Sequence, residues 1–536
     1  MPIVRNPILP GFNADPSIVR VKDDYYIATS TFEWWPGVQI HHSRDLANWE
    51  LIVRPLTRKS QADLRGNPDS CSIWAPCLSH DGDRFWLVYT DVKRKDGSFK
   101  DCHNYIIHAP AIEGPWSDPI YANSSGFDPS LFHDDDGRKW FVNMMWDHRR
   151  RPLTFAGIVL QEFDAAAGKL VGPRKNVFQG TDLELVEGPH LYKRNGWYYL
   201  LTAEGGTGYD HACTLARSRD KWGPYELHPQ KYVVTSKDTP LAAIQRAGHG
   251  DIVETPEGKT YLVHLMGRPI GQVRRCVLGR ETSIQEAYWG EDDWLYVKNG
   301  PVPSLYVEVP GTFDDKLYWE RKHYTFEHGL HKDFQWLRTP EPDRIFSTAD
   351  GNLTLFGRES IGSWFEQALV ARRQTHFSFD AETSIEFEPE DERQFAGLTV
   401  YYSRYNFFYL TVTAHSDGQR ELLLMNSEMS YPVSALSDTS AYTIQIPNQG
   451  KVRLAATVRG RALQFYYSLG GDLKAVGPVL DASIVSDECG GHQEHGSFTG
   501  SFIGVACSDL NGLSKPATFD YFTYTPVSHE SDRYDA

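Results

Sequence analysis

One short pattern recurs five times in the first half of the chain, and it constrains the fold more than any other feature. Each copy combines a short apolar run, a turn signal of acidic, asparagine or glycine residues, and an aromatic run, which is typical of a β-hairpin. The copies are led by Asp15, Trp74, Asp128, Glu187 and His249. Successive lead residues are 59, 54, 59 and 62 positions apart. A repeat of this length with strands in every copy favours propeller blades over a helical solenoid, so we predict five blades.

The propeller geometry predicts one site built from residues that are far apart in sequence. The innermost strands of the blades surround one axis, so the lead residues should converge there. Three of the five lead residues are carboxylates. The alignment is imperfect, because Trp74 and Glu187 lie one position ahead of the place that Asp15 and Asp128 occupy. A one-residue offset turns a side chain to the other face of a strand, unless the longer glutamate side chain and a local bulge compensate.

The second half of the chain has a different pattern. The repeat stops around residues 298–325, where Asn299, Gly300 and Pro301 are typical of a linker. Shorter strands of alternating polarity follow without a helical period, and they favour a β-sandwich of the jelly-roll type. The length of 536 residues also favours two domains. We therefore predict an all-β protein, with a five-bladed β-propeller at residues 1–323 and a β-sandwich at residues 324–536.

Composition argues against several classes of partner. The formal net charge of −16 argues against nucleic acid and against anionic membranes. No apolar run is long enough to span a bilayer, and the first residues lack the apolar core of a signal peptide. The 7 cysteines are scattered without paired metal-site spacing, so we expect reduced, buried thiols. These features together predict a cytoplasmic protein.

Four residues outside the carboxylates are candidates for binding. Phe32 and Trp74 are either packing residues or an aromatic wall against the apolar face of a sugar ring. His249 is either structural or part of the axial site. Arg280 either forms a surface pair with Glu281, or keeps nearby carboxylates ionised and donates hydrogen bonds to hydroxyls.

A glycine-rich loop in the predicted sandwich carries two more candidates. Residues 496–502 read GSFTGSF and include Phe498 and Phe502. Such a segment forms either a buried hairpin or a loop that docks on the other domain. Both interpretations stay open at this point.

Converging carboxylates in a polar, aromatic-lined pocket suit the cleavage of a glycosidic bond. That reaction needs an acid that protonates the leaving oxygen and a base or nucleophile on the opposite face of the sugar. A third carboxylate beside the acid raises the pKa of the acid by like-charge repulsion. Carboxylates with a histidine also bind hard cations. Because no loop has EF-hand spacing, we expect no catalytic metal and no required cofactor, while a structural or activating Ca²⁺ near His249 stays open.

At these residues the chain resembles glycoside hydrolase family 43, and especially its β-xylosidases with a C-terminal β-sandwich. The resemblance extends over nearly the whole chain and is specific when its motifs are taken jointly. The motifs are residues 6–17 (NPILPGFNADPS), 73–76 (IWAP), 126–130 (GFDPS), 187–190 (EGPH) and 278–282 (LGRET).

The resemblance implies a role for each candidate. It implies that Asp15 is the general base, that Asp128 tunes and orients the acid, and that Glu187 is the general acid. It places His249 and Arg280 near the glycone sugar and matches Trp74 and Phe32 to an aromatic wall. It also implies that a phenylalanine of a sandwich loop, Phe498 or Phe502, closes the pocket. Because the family inverts the anomeric centre, the carboxyl groups of Asp15 and Glu187 should be about 6.5–9.5 Å apart.

These arguments predict an inverting exo-1,4-β-D-xylosidase that releases xylose from the non-reducing end of short xylo-oligosaccharides. The alternative within the same class is an α-L-arabinofuranosidase, or an enzyme with both activities. An alternative from another class is a non-catalytic carbohydrate-binding propeller. Similarity to the two-domain xylosidases also implies a homo-oligomer, either a dimer or a tetramer.

Overall fold

A computed structural model describes residues 2–95, 97–150, 154–428, 442–489 and 497–529. The first part of the chain folds into five antiparallel sheets of four strands. Four sheets are built from consecutive strands, and in the first sheet one two-residue strand, Trp34–Trp35, is left out. The first blade comprises Ser17–Val21, Asp24–Thr29, Gln39–Ser43 and Glu50–Val53, and the second comprises Ser72–His80, Phe85–Arg94, Asp101–Ala109 and Ile120–Asn123. The third comprises Ser130–His133, Lys139–Trp146, Phe155–Asp164 and Lys169–Phe178, and the fourth comprises Glu187–Arg194, Trp197–Glu204, Ala212–Ser218 and Glu226–Thr235. The fifth comprises Gln245–Glu254, Thr260–Gly267, Glu281–Trp289 and Leu295–Val297. The predicted five-bladed propeller is confirmed.

The burial of the strands follows their place in a blade. Every residue of Thr260–Gly267, the second strand of its blade, is buried. By contrast, Lys169–Phe178, the outermost strand of the third blade, is exposed or half-buried throughout. Inner strands pack against neighbouring blades on both faces, so they lack the polar alternation of a half-solvated strand.

Each predicted hairpin turn joins the first two strands of a blade. Four of these turns carry glycines with φ between +74° and +95°, a region that residues with a Cβ seldom adopt; they are Gly82, Gly137, Gly196 and Gly258. In the first blade Lys22 occupies this region with a φ of +57°. The turn residues of the repeat therefore correctly predicted the position of the first hairpin in every blade.

The propeller is closed by the N-terminal segment of the chain. Ile3–Arg5 pairs antiparallel with Tyr306–Glu308, which follows the fifth blade. Val4 and Val307 pack in one apolar cluster with Ile18 of the first blade and Val263 of the fifth. The two ends of the ring are therefore joined by apolar burial as well as by this two-stranded sheet.

The remaining strands form two sheets of eight strands each within the described residues. One sheet comprises Lys322–Tyr324, Phe346–Ser347, Leu353–Phe356, Phe379–Glu386, Val452–Arg459, Ala462–Ser468, Lys474–Asp481 and Pro516–Pro526. The other comprises Trp34–Trp35, Phe334–Leu337, Ala368–Arg373, Gln394–Ser403, Asn406–Ala414, Arg420–Glu428, Ile444–Gln445 and Phe502–Asp509. Buried residues of both sheets, such as Leu398 and Leu454, share one apolar core. The predicted β-sandwich is confirmed.

The two domains share a sheet. Trp34–Trp35 lies in sequence inside the first blade, yet it pairs with Phe334–Leu337 at the edge of the sandwich. The domain boundary predicted between residues 323 and 324 stays a prediction, and it falls within the strand Lys322–Tyr324, which pairs with Pro516–Pro526. The propeller and the sandwich are thus linked by main-chain hydrogen bonds next to the axis.

Helices are few and short. The described helices are Asp315–Tyr318 and the 3₁₀ turns Pro342–Arg344, Ala349–Gly351 and Ala482–Ile484. Asp314 caps the first of them by accepting a hydrogen bond from the amide of Lys316. None of the helices in the described ranges has the length and apolarity needed to cross a membrane.

Candidate active site

The same backbone kink lies within each of the five innermost strands or two residues before the strand begins. A left-handed φ occurs at Asp15 (+54°), Ala75 (+33°), Asp128 (+52°), Gly188 (+56°) and His249 (+46°). This region is uncommon for residues other than glycine and is found at sites where the surrounding structure imposes it. The kinks identify the structurally equivalent position of each blade.

The kinks explain the imperfect alignment of the sequence repeat. In the second and fourth blades the kink falls on Ala75 and Gly188, and the preceding residues, Trp74 and Glu187, line the axial cavity. Strand pairing is irregular just beyond these residues, between Glu187 and His190 in one blade and between Trp74 and Cys77 in the other. A local bulge thus compensates for the one-residue offset, which was one of the alternatives left open by the sequence.

The kinks surround a cavity of about 390 Å³. Its lining includes eight of the nine predicted site residues: Asp15, Phe32, Trp74, Asp128, Glu187, His249, Arg280 and Phe498. The structure adds Lys95, Lys100, Phe127, Phe155, Leu185, Gly206 and Thr207. Residues from all five blades and from the sandwich therefore meet at one place.

Asp15 is held as a carboxylate by cationic and hydroxyl groups. The hydroxyl of Ser30 donates to its Oδ2 at 2.6 Å, and Nη1 of Arg280 donates to its Oδ1 at 2.9 Å. Nδ1 of His249 lies 3.7 Å from the same Oδ1. Burial alone would raise the pKa of Asp15, but the charge of Arg280, the nearby His249 and the Ser30 hydrogen bond outweigh it and lower that pKa below its ordinary value.

The other two carboxyl groups have the opposite electrostatic environment. Burial, reinforced by the charge of Asp15, raises the pKa of Glu187 to about 8. Burial and the charges of Glu187 and Asp15 also raise the pKa of Asp128 well above its ordinary value. A 3.2 Å hydrogen bond from the amide of Gly188 and the charge of Arg280 favour the ionised form of Asp128 but do not outweigh these effects. The pair of Asp128 and Glu187 therefore retains a proton near neutral pH, whereas Asp15 is ionised.

His249 is a neutral ring packed into the wall of the site. It is buried, and burial lowers its pKa to about 4 although the charge of Asp15 opposes the shift. A Cβ added to Gly188 would lie 3.0 Å from the His249 ring, so the backbone approaches the ring where only glycine fits. A neutral imidazole in this place can accept a hydrogen bond from a hydroxyl or donate one to it.

Arg280 belongs to the site and does not form a surface pair. Its side chain is 3% exposed, and Glu281 is bound instead by Nε and Nη2 of Arg268 at 2.6 and 2.7 Å. Besides binding Asp15, Arg280 donates from Nε and Nη2 to the carbonyl of Phe498 at 2.9 and 2.7 Å. Its planar fork thus connects the propeller carboxylate to the main chain of the sandwich.

Aromatic rings form one wall of the cavity. The ring centroid of Phe32 lies 5.8 Å from that of Trp74 and 6.4 Å from that of Phe498. Trp74 meets Phe498 edge-on at 5.8 Å and Phe127 at 5.4 Å, and its indole nitrogen donates to the carbonyl of Ser70. Fixed rings of this kind present flat apolar surfaces to the C–H face of a sugar.

The structure places only one of the two loop phenylalanines at the cavity. Phe498 lines it, whereas Phe502 is fully buried and begins a sandwich strand. The Phe502 ring stacks on Trp34 with centroids 3.7 Å apart. Phe502 as a substrate contact is therefore wrong, because alternation along the strand turns it into the core that the domains share. Gly496, the first residue of the predicted loop, lies outside the described residues.

Several residues in and around the cavity wall were not predicted from the sequence. Lys100 immediately precedes the third strand of its blade, and its Nζ lies 4.5 Å from the centroid of the Trp146 ring and 5.9 Å from that of Phe127. Phe127 precedes Asp128 within a recurring motif, so its place in the repeat was a usable signal. Lysines are common on surfaces, and nothing in the sequence distinguished Lys100 or Ser30 from surface residues.

A metal site in the described ranges would require several donor side chains that converge on one point. No group of three His, Cys, Asp or Glu side chains there is arranged to hold a metal ion. Next to His249 the nearest carboxylate, Asp15, is already bound to a guanidinium, which is a poor setting for a divalent cation. The Ca²⁺ considered near His249 and the absence of a required cofactor both stay predictions.

Comparison with known proteins assigns the chain to a family. Residues 4–295 match the model described as "Glycosyl hydrolases family 43", and residues 323–525 match "Beta xylosidase C-terminal Concanavalin A-like domain". The chain is 79% identical over 537 residues, and over the full length of both proteins, to "Xylosidase/arabinosidase 43B" of Humicola insolens. It is 46% identical to "Beta-xylosidase" of Bacillus subtilis, with 97% of this chain and 99% of the relative covered.

A solved structure agrees with these relatives. The crystal structure of xylan beta-1,4-xylosidase from Bacillus halodurans C-125 matches with a TM-score of 0.93 and 49% identity. The match covers 97% of this chain and 100% of that one. With the axial carboxylates, the aromatic wall and both family models in agreement, the chain belongs to glycosyl hydrolases family 43 and is a glycoside hydrolase.

Proposed function

We propose that this enzyme is an inverting exo-1,4-β-D-xylosidase that releases xylose from the non-reducing end of short xylo-oligosaccharides. One observation carries the proposal: Asp15, ionised, and Glu187, protonated near neutral pH, line the same small cavity beside an aromatic wall. Inverting hydrolysis needs such a pair of carboxyl groups in opposite protonation states. The names of the two relatives, both of which include xylosidase, support the choice of sugar.

In this mechanism each carboxyl group moves one proton. Glu187 gives its proton to the glycosidic oxygen as the C–O bond breaks. Asp15 takes a proton from the water that attacks the anomeric carbon from the opposite face, so the configuration inverts. Asp128 acts through Glu187, since the two buried carboxyl groups repel each other when both are ionised and the pair therefore retains a proton. Proton exchange with solvent then returns Asp15 to its ionised form and Glu187 to its protonated form.

The cavity suits a sugar at the end of a chain. At about 390 Å³ it is at the small end of ligand pockets, which span roughly 300–1,000 Å³. Phe32, Trp74 and Phe498 offer apolar faces, while His249 and Arg280 offer hydrogen bonds to hydroxyls. A site of this size supports the binding of one end of an oligosaccharide more than the binding of the middle of a long chain.

An enzyme with both xylosidase and α-L-arabinofuranosidase activity is the second candidate. The observation in its favour is the name of the Humicola insolens relative, which joins xylosidase and arabinosidase. Comparing kcat/KM on 4-nitrophenyl β-D-xylopyranoside and 4-nitrophenyl α-L-arabinofuranoside tests this directly. We expect the xyloside to be preferred, and a wide margin for the arabinofuranoside would reverse the order.

The main test follows xylobiose hydrolysis by ¹H NMR. Inversion predicts that α-xylose is formed first and that the β-anomer grows in by mutarotation. If β-xylose forms first, the stereochemical part of the proposal is wrong. If xylobiose is bound without release of xylose, the xylosidase proposal fails as a whole.

Two further expectations stay proposals. The homo-oligomeric state, a dimer or a tetramer, is tested by light scattering coupled to size-exclusion chromatography. A cytoplasmic location is tested by fractionation of cells that express the protein. A monomer, or a secreted protein, would contradict the respective expectation.

A further inference from the structure

The main chain of one sandwich segment, Phe498 and Thr499, is hydrogen-bonded to residues of both domains beside the active site. The amide of Phe498 donates to Oγ of Ser70 at 3.1 Å, and the amide of Thr499 donates to the hydroxyl of Tyr402 at 3.2 Å. The carbonyl of Phe498 accepts two hydrogen bonds from the guanidinium of Arg280. The carbonyl of Thr499 accepts a longer one, of 3.3 Å, from the amide of Arg280. This segment is therefore fixed relative to Arg280 by main-chain as well as side-chain bonds.

The close approach requires glycines on both sides. A Cβ on Gly279 would lie 1.8 Å from the Thr499 carbonyl oxygen, and a Cβ on Gly500 would lie 2.8 Å from the carbonyl oxygen of Leu278. A Cβ atom does not approach a nonbonded oxygen this closely, so a side chain at either position would force the two main chains apart. The main chain at Leu278 and Gly279 therefore packs directly against the main chain at Thr499 and Gly500. This close packing leaves Arg280 little freedom to move.

On the sandwich side, the hydrogen bonds that hold this segment lead through Tyr402 to a buried ion pair. Tyr402 donates its hydroxyl proton to Oδ1 of Asp487 at 2.5 Å. Oδ2 of Asp487 accepts from Nη1 of Arg246 at 2.8 Å, and these two side chains are 2% and 6% exposed. Nε of Arg246 donates in turn to the carbonyl of Thr207, a residue of the cavity wall. A buried pair satisfied on all sides gains its value from the geometry it imposes more than from net stability.

We propose that Tyr402 and Asp487 are positioning residues for the reaction, because through the main chain of Phe498 they hold Arg280 against the Asp15 carboxylate. Neither residue lines the cavity, so they act on the substrate only through others. The sandwich domain then does more than close the pocket with an aromatic ring. It also sets the geometry and charge state of the group that activates water. The inference rests on the role proposed for Asp15.

The charged and titratable groups around Asp15 make this role measurable. The charges of Arg280 and His249, and more weakly that of His211, act on Asp15, and the charge of Asp15 acts on Asp128 and Glu187. Of these, Arg280 is the group bound to the Phe498 carbonyl. Loosening that carbonyl weakens the contact of Arg280 with Asp15, so the pKa of Asp15 should rise. The acid limb of the kcat/KM profile should then move to higher pH.

The test is the pH profile of the Tyr402→Phe variant on 4-nitrophenyl β-D-xylopyranoside. Phenylalanine keeps the buried ring and removes both hydrogen bonds of the hydroxyl. We expect kcat/KM at neutral pH to fall about tenfold and the acid limb to move up by about half a pH unit. Tyr409→Phe is the matched control, since the Tyr409 hydroxyl is also buried in the sandwich and donates at 2.8 Å to the carbonyl of Ala506, which does not line the cavity.

The outcomes separate positioning from stability. Tyr409→Phe should lower the Tm while its pH profile superimposes on that of the wild type. If Tyr402→Phe behaves in the same way, the inference is overturned. Asp487→Asn keeps the volume and removes the charge, so it should shift the acid limb in the same direction by a smaller amount. An unmoved limb in both variants contradicts the inference, and a wild type inactive on xylosides contradicts the proposed function instead.

Discussion

Two carboxylate clusters lie on the innermost strands of the propeller, and they are built in opposite ways. Asp251 comes two residues after His249 and accepts four hydrogen bonds: from Oγ of Ser17 at 2.9 Å, from the amide of Ile18 at 2.8 Å, from the hydroxyl of Tyr192 at 2.5 Å and from its neighbouring amide at 2.8 Å. In the cavity, Asp128 accepts one hydrogen bond of 3.2 Å. Within the described part of the chain, no group donates to the carboxyl of Glu187.

The number of hydrogen bonds distinguishes the cluster around Asp251, which stabilises the fold, from the cavity cluster, which is available for catalysis. Four donors and the nearby His190 satisfy the charge of Asp251 and tie the first, fourth and fifth blades together. The carboxyl groups of Asp128 and Glu187 are also buried, but most of their lone pairs are left for a substrate, and burial reinforced by neighbouring negative charge holds their protons. Buried polar groups are normally paired, so those that are not are candidates for function.

The largest effect is expected for Asp15→Asn, which should lower kcat/KM by about 10⁴-fold. Water activation is needed whatever the leaving group, so xylobiose and 4-nitrophenyl xyloside should lose activity alike. Steady-state kinetics on both substrates measures this. A loss confined to xylobiose would assign Asp15 to leaving-group protonation and contradict its role as base.

Glu187→Gln should lower activity on xylobiose by about 10³-fold and on an activated aryl xyloside by roughly tenfold. A good leaving group departs without a proton, whereas a sugar alkoxide does not. The ratio of the two losses is the measurement, and Asp15→Asn is the control with a ratio near one. Equal losses in the Glu187 variant would undo the assignment of the acid.

Asp251→Asn should act on stability instead of chemistry. The amide can accept only part of the hydrogen bonds of the carboxylate and leaves His190 without its ion partner, at a cost of about 3 kcal/mol in the free energy of unfolding. Denaturant unfolding measures the loss. The acid and base limbs of the pH profile should stay in place, and a shift of either limb would show that the two clusters are not independent.

The pH profile of the wild type should be bell-shaped. Glu187 must be protonated, so activity should fall about tenfold per pH unit above its pKa of about 8. Asp15 must be ionised, so activity should fall on the acid side only below the lowered pKa of Asp15. Activity that is still rising above pH 9 would contradict the proton held by the Asp128–Glu187 pair.

The smallest effect is a pH dependence of stability from the Asp251 cluster. Burial opposes the charged form of His190, but the charge of Asp251 outweighs it and raises the pKa of His190 to about 9. Because this folded-state pKa lies above the unfolded value, the stabilisation is complete below about pH 6.5 and is lost as pH rises through about 9. His190→Gln should therefore remove roughly 2–3 kcal/mol of pH-dependent stability over this range.

A second buried histidine provides the control for that measurement. Burial lowers the pKa of His264 to about 4, so this group is neutral in both states above pH 7. His264→Gln should therefore leave the slope between pH 7 and 9 unchanged. A slope that persists in the His190 variant would show that other groups dominate the linkage.

Much of the fold followed from local chemistry. The turn glycines and the aromatic strands of each copy are short-range signals, so the five blades and their first hairpins could be predicted residue by residue. The change in pattern after Pro301 likewise separated the sandwich from the propeller. The strand Trp34–Trp35 could not be predicted, because its partner, Phe334–Leu337, lies about three hundred residues away and no local pattern encodes that pairing.

The active site also has a part that the sequence predicts and a part that depends on long-range contacts. The amino-acid sequence by itself determined that Asp15, Asp128, Glu187 and His249 meet, since a repeated module around an axis carries matching positions to one place. Only the tertiary structure decided that Phe498 and not Phe502 reaches the cavity, and that Arg280 bridges Asp15 to the sandwich. The reason is physical: repetition records the symmetry of the blades, whereas contacts between a loop and a distant domain depend on packing that no repeat contains.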